Sequence, residues 1–248
     1  MIILSILFFI TAILYSSVGF GGGSTYLALL LIWGVPYYIF PLIALICNII
    51  VVSGNSFNYI RAKNHNFRLL IPFLIGSIPM AFVGGSLHIE KEIFEILLFI
   101  VLSLAGILLL INNKSYDDKN IEIKRLHFFV STIIGSILGF VSGLIGIGGG
   151  IFLSPILFLF KADKPKVIST TASLFILINS ISGMIGQLTK TNILVEVIQY
   201  SPLFISVFIG GLIGNYLNLK VFSGRLLAII TSILVIFVAS RIGIKIFI

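Results

Sequence analysis

The stretches SVGFGGGST (Ser17–Thr25) and GLIGIGGGI (Gly143–Ile151) decide how this chain is read. Each sets three adjacent glycines inside a long apolar run, and the two glycine runs lie 127 residues apart. An uninterrupted membrane helix gains nothing from three flexible neighbours, since each glycine costs about 1 kcal/mol relative to alanine. One reading is helix packing through small residues: Gly19 and Gly23, and Gly146 and Gly150, have the required four-residue spacing. Packing needs spaced glycines rather than runs, so the runs favour a helix that breaks within the apolar layer. A break exposes backbone N–H groups at the new N-terminus. In lipid these are costly unless something pairs with them. A bound anion does so, and the helix dipole adds roughly half a positive charge there. Ser24 and Thr25 stand where they would cap the resumed helix.

Composition sets the surroundings of these breaks. Hydrophobic residues make up 58% of the 248 and charged residues only 10%, against about a quarter charged in soluble domains. Apolar segments recur at 1–34, 37–60, 69–88, 93–112, 126–160, 166–188, 195–218 and 226–247. They are too long and too continuous for the strands of an outer-membrane barrel. The expectation is an all-α integral membrane protein of about eight segments. The formal charge of +8 reads as topology-setting loop charge rather than nucleic-acid binding. No basic residue precedes Arg61, so residues 1–34 are read as part of the fold rather than a signal peptide. Cys47 is the single cysteine. No cofactor or metal site is expected, because His65, His88 and His127 lie apart and without ligand partners.

The chain reads as two related halves, 1–112 and 126–248, joined by a polar linker loop at 113–125. Beyond the glycines, Ala44 matches Ala172, Ser53-Gly54 matches Ser182-Gly183, Pro72 matches Pro202 and Gly84 matches Gly214, in order and at nearly constant offset. Segments one and five are too long for a single crossing. Each either breaks at mid-membrane or returns as a re-entrant hairpin. The hairpin arrangement gathers most of the sixteen Lys and Arg on one side and makes the halves inverted repeats.

Polar residues inside the apolar runs extend the candidate site. Asn48 and Asn55 share a helix face, and Thr171, Asn179, Ser182 and Gln187 interrupt the matching segment. Amides and hydroxyls donate hydrogen bonds to an oxyanion without a fixed countercharge; they also link helices to one another. The candidate binding set is Gly21, Gly22, Gly23, Ser24, Asn48, Asn55, Gly148, Gly149, Gly150, Thr171, Asn179 and Gln187. All eight Asp and Glu lie in loops or at segment ends, which disfavours a carboxylate proton relay. Arg61 and Lys190 follow the polar segments and read either as topology charges or as attractors for anions. No zinc-protease motif, nucleophile elbow or intramembrane Asp pair supports an enzyme.

The paired G-x-G-G-G elements, Pro155 and the segment TTASLFILINSISG (Thr170–Gly183) resemble the TauE/SafE sulfite exporter family. The first half departs from the pattern: Ala28 stands where the second half has Pro155, and PLIALICN replaces the Thr/Ser-rich start. The resemblance implies a multi-pass transporter of the plasma or inner membrane. Its substrate would be a small anion such as sulfite, thiosulfate or a sulfonate, its second partner the lipid bilayer, and a homodimer is left open. An anion channel or an uptake permease on the same scaffold is the alternative.

Overall fold

The computed structural model describes residues 1–17, 19–111, 123, 126–190, 193–217, 229, 232–233, 236–237, 239–240 and 242–244. The linker at 113–125, Ile123 apart, and most of segment 226–247 lie outside them. Among the described residues the chain is helical, with no strand. The long first segment is divided into α1 (Ile2–Ser16) and α2 (Gly23–Ile32), and the fifth into α6 (Phe128–Ile145) and α7 (Gly150–Leu159). Between and after them lie a 3-10 turn (Tyr37–Ile39), α3 (Phe40–Arg61), α4 (Phe67–Ser86), α5 (Lys91–Ile111), α8 (Pro165–Gln187), α9 (Ile193–Ile198) and α10 (Ser201–Leu217). The seventh segment is thus two helices, broken ahead of Pro202, as expected where proline cannot continue a helix. Among the described residues four stretches are long and apolar enough to cross a membrane: Tyr37–Arg61, Phe67–Ser86, Phe128–Ile145 and Lys166–Gln187.

Helix directions follow from which residues meet. Gly135, Gly139 and Gly143 of α6 lie in turn against the backbone of Phe73, Ser77 and Ala81 of α4, so these helices run parallel. Ser182 donates to the Ile78 carbonyl at 2.6 Å and Gly186 packs on Phe82, so α8 runs with α4. On the other side, Gly210 and Gly214 of α10 pack on Phe9 and Ile13 of α1. Val51 lies beside Gly211 and Asn58 donates to Asn215 at 3.0 Å, so α3 runs with α10. The two groups meet head to tail at the centre. Ser56 pairs with Ser173 at 3.2 Å, Asn48 converges with Ile176 and Ser180 on Gly148, and Leu45 reaches Gly183; α3 and α8 are antiparallel.

Because α1 and α3 run the same way, the chain between them must double back. Ser16 ends level with Asn55, within 3.5 Å of its amide, roughly 22 Å along α3 from its start. Helix α2 is the return limb. In the same way α6 ends beside Gln187, whose amide donates to the Gly143 carbonyl at 2.9 Å, at the far end of α8. Helix α7 carries the chain back.

The loops sort accordingly. Asn66 caps α4 and its amide donates to Asp163 at 2.8 Å, joining loops 62–66 and 160–164 at one end. At the opposite end the Tyr38 hydroxyl donates to Glu196. Among the described residues Arg61, Lys63, Arg68, Lys161, Lys164 and Lys166 lie toward the Asn66 end, and Lys91 and Lys190 toward the Tyr38 end.

Candidate functional site

Both glycine runs form helix starts. Gly22 (φ +85°) is the N-cap of α2 and Gly149 (φ +75°) that of α7. These left-handed dihedrals strain any residue with a Cβ. No side chain caps either start. The expectation that Ser24 and Thr25 cap α2 is corrected: Thr25 Oγ1 pairs with the Tyr15 hydroxyl at 2.6 Å, and Ser24 Oγ is buried without a partner. The physical reason is position. Gly22 already takes the N-cap place, so both hydroxyls fall inside the first turn, where they cannot reach back to the free N–H groups.

The two starts converge on one side chain. A Cβ placed on Gly23 would lie 2.6 Å from the Ile147 carbonyl and 2.8 Å from Asn48 Nδ2. One on Gly148 would lie 2.7 Å from the same Nδ2 and 3.2 Å from Ser180 Oγ, and one on Gly21 would strike Asn48 Oδ1. Asn48 therefore fills a notch that exists only because three glycines from two distant runs lack side chains. Its amide donates to the Gly146 carbonyl at 3.3 Å, while its Oδ1 has no partner. Beside it Ser24, next to Gly23, and Ser180, at Gly148, each carry a buried side-chain oxygen without a partner. Leaving such groups unpaired in an apolar interior costs about 1–3 kcal/mol each. Several of them at two helix N-termini make a polar centre suited to a hydrogen-bonding ligand.

The structure gathers Gly21, Gly23, Asn48 and Gly148 at this centre, with Ser24 in the first turn of α2 and Gly150 against Ile176. Gly22 packs on Tyr15 and Tyr26, and Gly149 on Phe175, so these two shape the break rather than face the notch. Asn179 gives its amide to the Phe175 carbonyl one turn back in its own helix. Three other candidates are placed elsewhere. Asn55 is beside Ser16. Thr171 donates to the Val167 carbonyl. Gln187 links Gly143 to Lys190, roughly 12 Å along α8 from Asn179. Ser180 is a polar group at the centre that was not singled out from the sequence. For Ser180 the available signal was the stripe Ser173, Ile176, Ser180 and Gly183, which lies on one helix face and meets α3.

Comparison with known proteins bears on what such a centre is for. The family profile described as Sulfite exporter TauE/SafE matches residues 4–242. The chain belongs to the TauE/SafE sulfite exporter family. Relatives within reach of TauE/SafE include a probable membrane transporter protein of Sinorhizobium fredii, 28% identical over 234 residues covering 93% of each chain. Another, from Methanocaldococcus jannaschii, is 31% identical over 199 residues, 77% of this chain and 73% of that protein. A third, from Bacillus subtilis, is 24% identical over 260 residues. No solved structure matches. This TauE/SafE chain is an all-α, multi-pass membrane protein of a transporter family.

Proposed function

We propose that this protein is a secondary transporter that exports sulfite, or a related small sulfur-containing or organic anion, across the plasma or inner membrane. The anion binds at the centre, to backbone N–H groups at the starts of α2 and α7 and to donors from Ser24, Asn48, Ser180 and Asn179. The carrying observation is the convergence of both glycine-started helices on Asn48, with the unpartnered hydroxyls of Ser24, next to Gly23, and Ser180, at Gly148. Two positive helix ends aimed at one point attract negative charge, and Asn48 Nδ2 has a second proton beyond the one given to Gly146.

The scaffold reading is two inverted halves in which α1–α2 and α6–α7 are re-entrant hairpins. Antiparallel α3 and α8 support it, as does the exchange by which α1 packs on α10 while α6 packs on α4. So do the matched left-handed glycines, Gly19 with Gly146 and Gly22 with Gly149. The cations at the Asn66 end make that end cytoplasmic.

Two measurements test these readings. Purified protein in vesicles should move radiolabelled sulfite or thiosulfate with saturation and counterflow, and its substrate should raise the thermal midpoint. Linear flux without counterflow would mean a channel. No flux or stabilisation with sulfite, thiosulfate, sulfate, sulfonates and carboxylates would remove the anion reading. For topology, Lys63→Cys and Lys164→Cys, each in a Cys47→Ser background, should be labelled from the same side of the membrane; opposite accessibility rejects the hairpins.

A further inference from the structure

At the Tyr38 end lies a cavity of about 260 Å³ that the binding centre does not use. Its walls include Tyr37, Tyr38, His88, Lys190 and Glu196, and its inner side Pro41 and Leu144. At roughly 30 Å³ per water it has room for a small oxyanion and part of its hydration shell. Its inner wall is thin. Pro41 packs so closely on Gly146 that a methyl there would lie 2.5 Å from Pro41 Cα, and the carbonyl of the same Gly146 accepts from Asn48. Pro41 and Gly146 therefore stand between the cavity and Asn48. One feature favours an anion here. Lys190 is half-buried, its Nζ donates to Gln187 Oε1 at 2.8 Å, and two ammonium protons are left for another acceptor. On another wall the Glu196 carboxylate, which repels an anion and so biases it toward Lys190, accepts from the Tyr38 hydroxyl.

We propose that this cavity is a vestibule where a small sulfonate- or sulfite-like oxyanion docks on Lys190, in series with the central site behind the Pro41–Gly146 wall. The vestibule rests on the transporter reading only for its purpose; docking is measurable without transport. It also gives Gln187 a role. With its amide nitrogen on Gly143 and its oxygen on Lys190, Gln187 fixes the ammonium to the end of α8 as a positioning residue. Burial pushes the Lys190 ammonium down to about 8, the signature of a cation held partly out of water.

The test uses the full chain in lipid nanodiscs with Cys47→Ser and a reporter, Ile89→Cys, on the cavity wall. A negatively charged sulfonatoethyl methanethiosulfonate and a positively charged trimethylammonioethyl analogue are compared by labelling rate. Removing one charge this close should lower the anionic-to-cationic rate ratio about tenfold in Lys190→Gln, while Lys190→Arg keeps it. Methanesulfonate should slow labelling in the Lys190 protein and not in Lys190→Gln. An unchanged ratio, or equal protection in both, overturns the vestibule and leaves the transporter reading standing. Absent flux with an intact charge effect overturns the transporter reading alone. His88→Cys serves as a second reporter, so a poorly folded Ile89→Cys protein does not end the test.

Discussion

The two glycine breaks share two left-handed positions and differ in their walls. Gly19 and Gly146, and Gly22 and Gly149, are left-handed in both. The first break is backed by tyrosines: Gly19 lies against the Tyr59 ring and Gly22 against Tyr15 and Tyr26, with Tyr15 in turn bonded to Thr25. The second is backed by apolar and main-chain groups: Gly146 on the Pro41 backbone, Gly149 on Phe175 and Gly150 on Ile176. Side chains can swing away from an intruding methyl, whereas backbone cannot. At the matched pair the wall is therefore adaptable beside Gly19 and fixed beside Gly146, although Gly23 of the first run also meets the Ile147 carbonyl.

The largest expected break of this comparison is Gly146→Ala. It adds left-handed strain to a collision with main chain, together about 2–5 kcal/mol. Gly19→Ala adds the same strain but meets a ring that can move, for about 1–2 kcal/mol. Thermal unfolding of the purified variants checks the order, and equal losses would mean that the walls are equally stiff. Next, Gly22→Val and Gly149→Val should abolish anion flux while both proteins still insert, because a β-branched residue resists the break. Normal flux in both would leave the glycines with a packing role only.

Asn48→Leu removes the side chain shared by both breaks. A hydrogen bond to a charged partner is worth about 1.5–3 kcal/mol, so anion affinity should fall roughly ten- to a hundred-fold. Gln187→Leu should lower thermal stability and leave the affinity of the central site unchanged, since its amide links α8 to α6, while freeing Lys190 in the vestibule. A loss of affinity in the second and not in the first would exchange their roles. The smallest effect is one of pH. Lys190, held at about 8, is charged below that value and neutral above it. The preference of the vestibule reporter for the anionic reagent should therefore fall between pH 7 and 9. Tyr37, Tyr38, His88, Glu196 and neighbouring Glu90, Lys91 and Glu92 stay in place in Lys190→Gln, so a profile that still falls in that variant would assign the titration to one of them.

Membrane class, helical composition, the family and the existence of both breaks were legible from residue types alone. A long apolar run fixes secondary structure because lipid offers no other partner for the backbone, and a glycine run interrupts a helix wherever it stands. Which polar residues meet was not legible. Asn48, Asn55, Asn179 and Gln187 are alike in polarity, and only helix packing brings Asn48 and Ser180 to the notch, where α3 crosses α8, and sends Gln187 to Gly143, where α8 meets α6. The return of α2 and α7 also awaited the helix directions, set by glycine-to-backbone contacts between segments far apart in sequence. Local sequence decides where a helix starts and stops, because that depends on neighbouring dihedrals and hydrogen bonds. Which helix end faces which side chain is decided by packing, since that depends on shapes meeting across the whole chain.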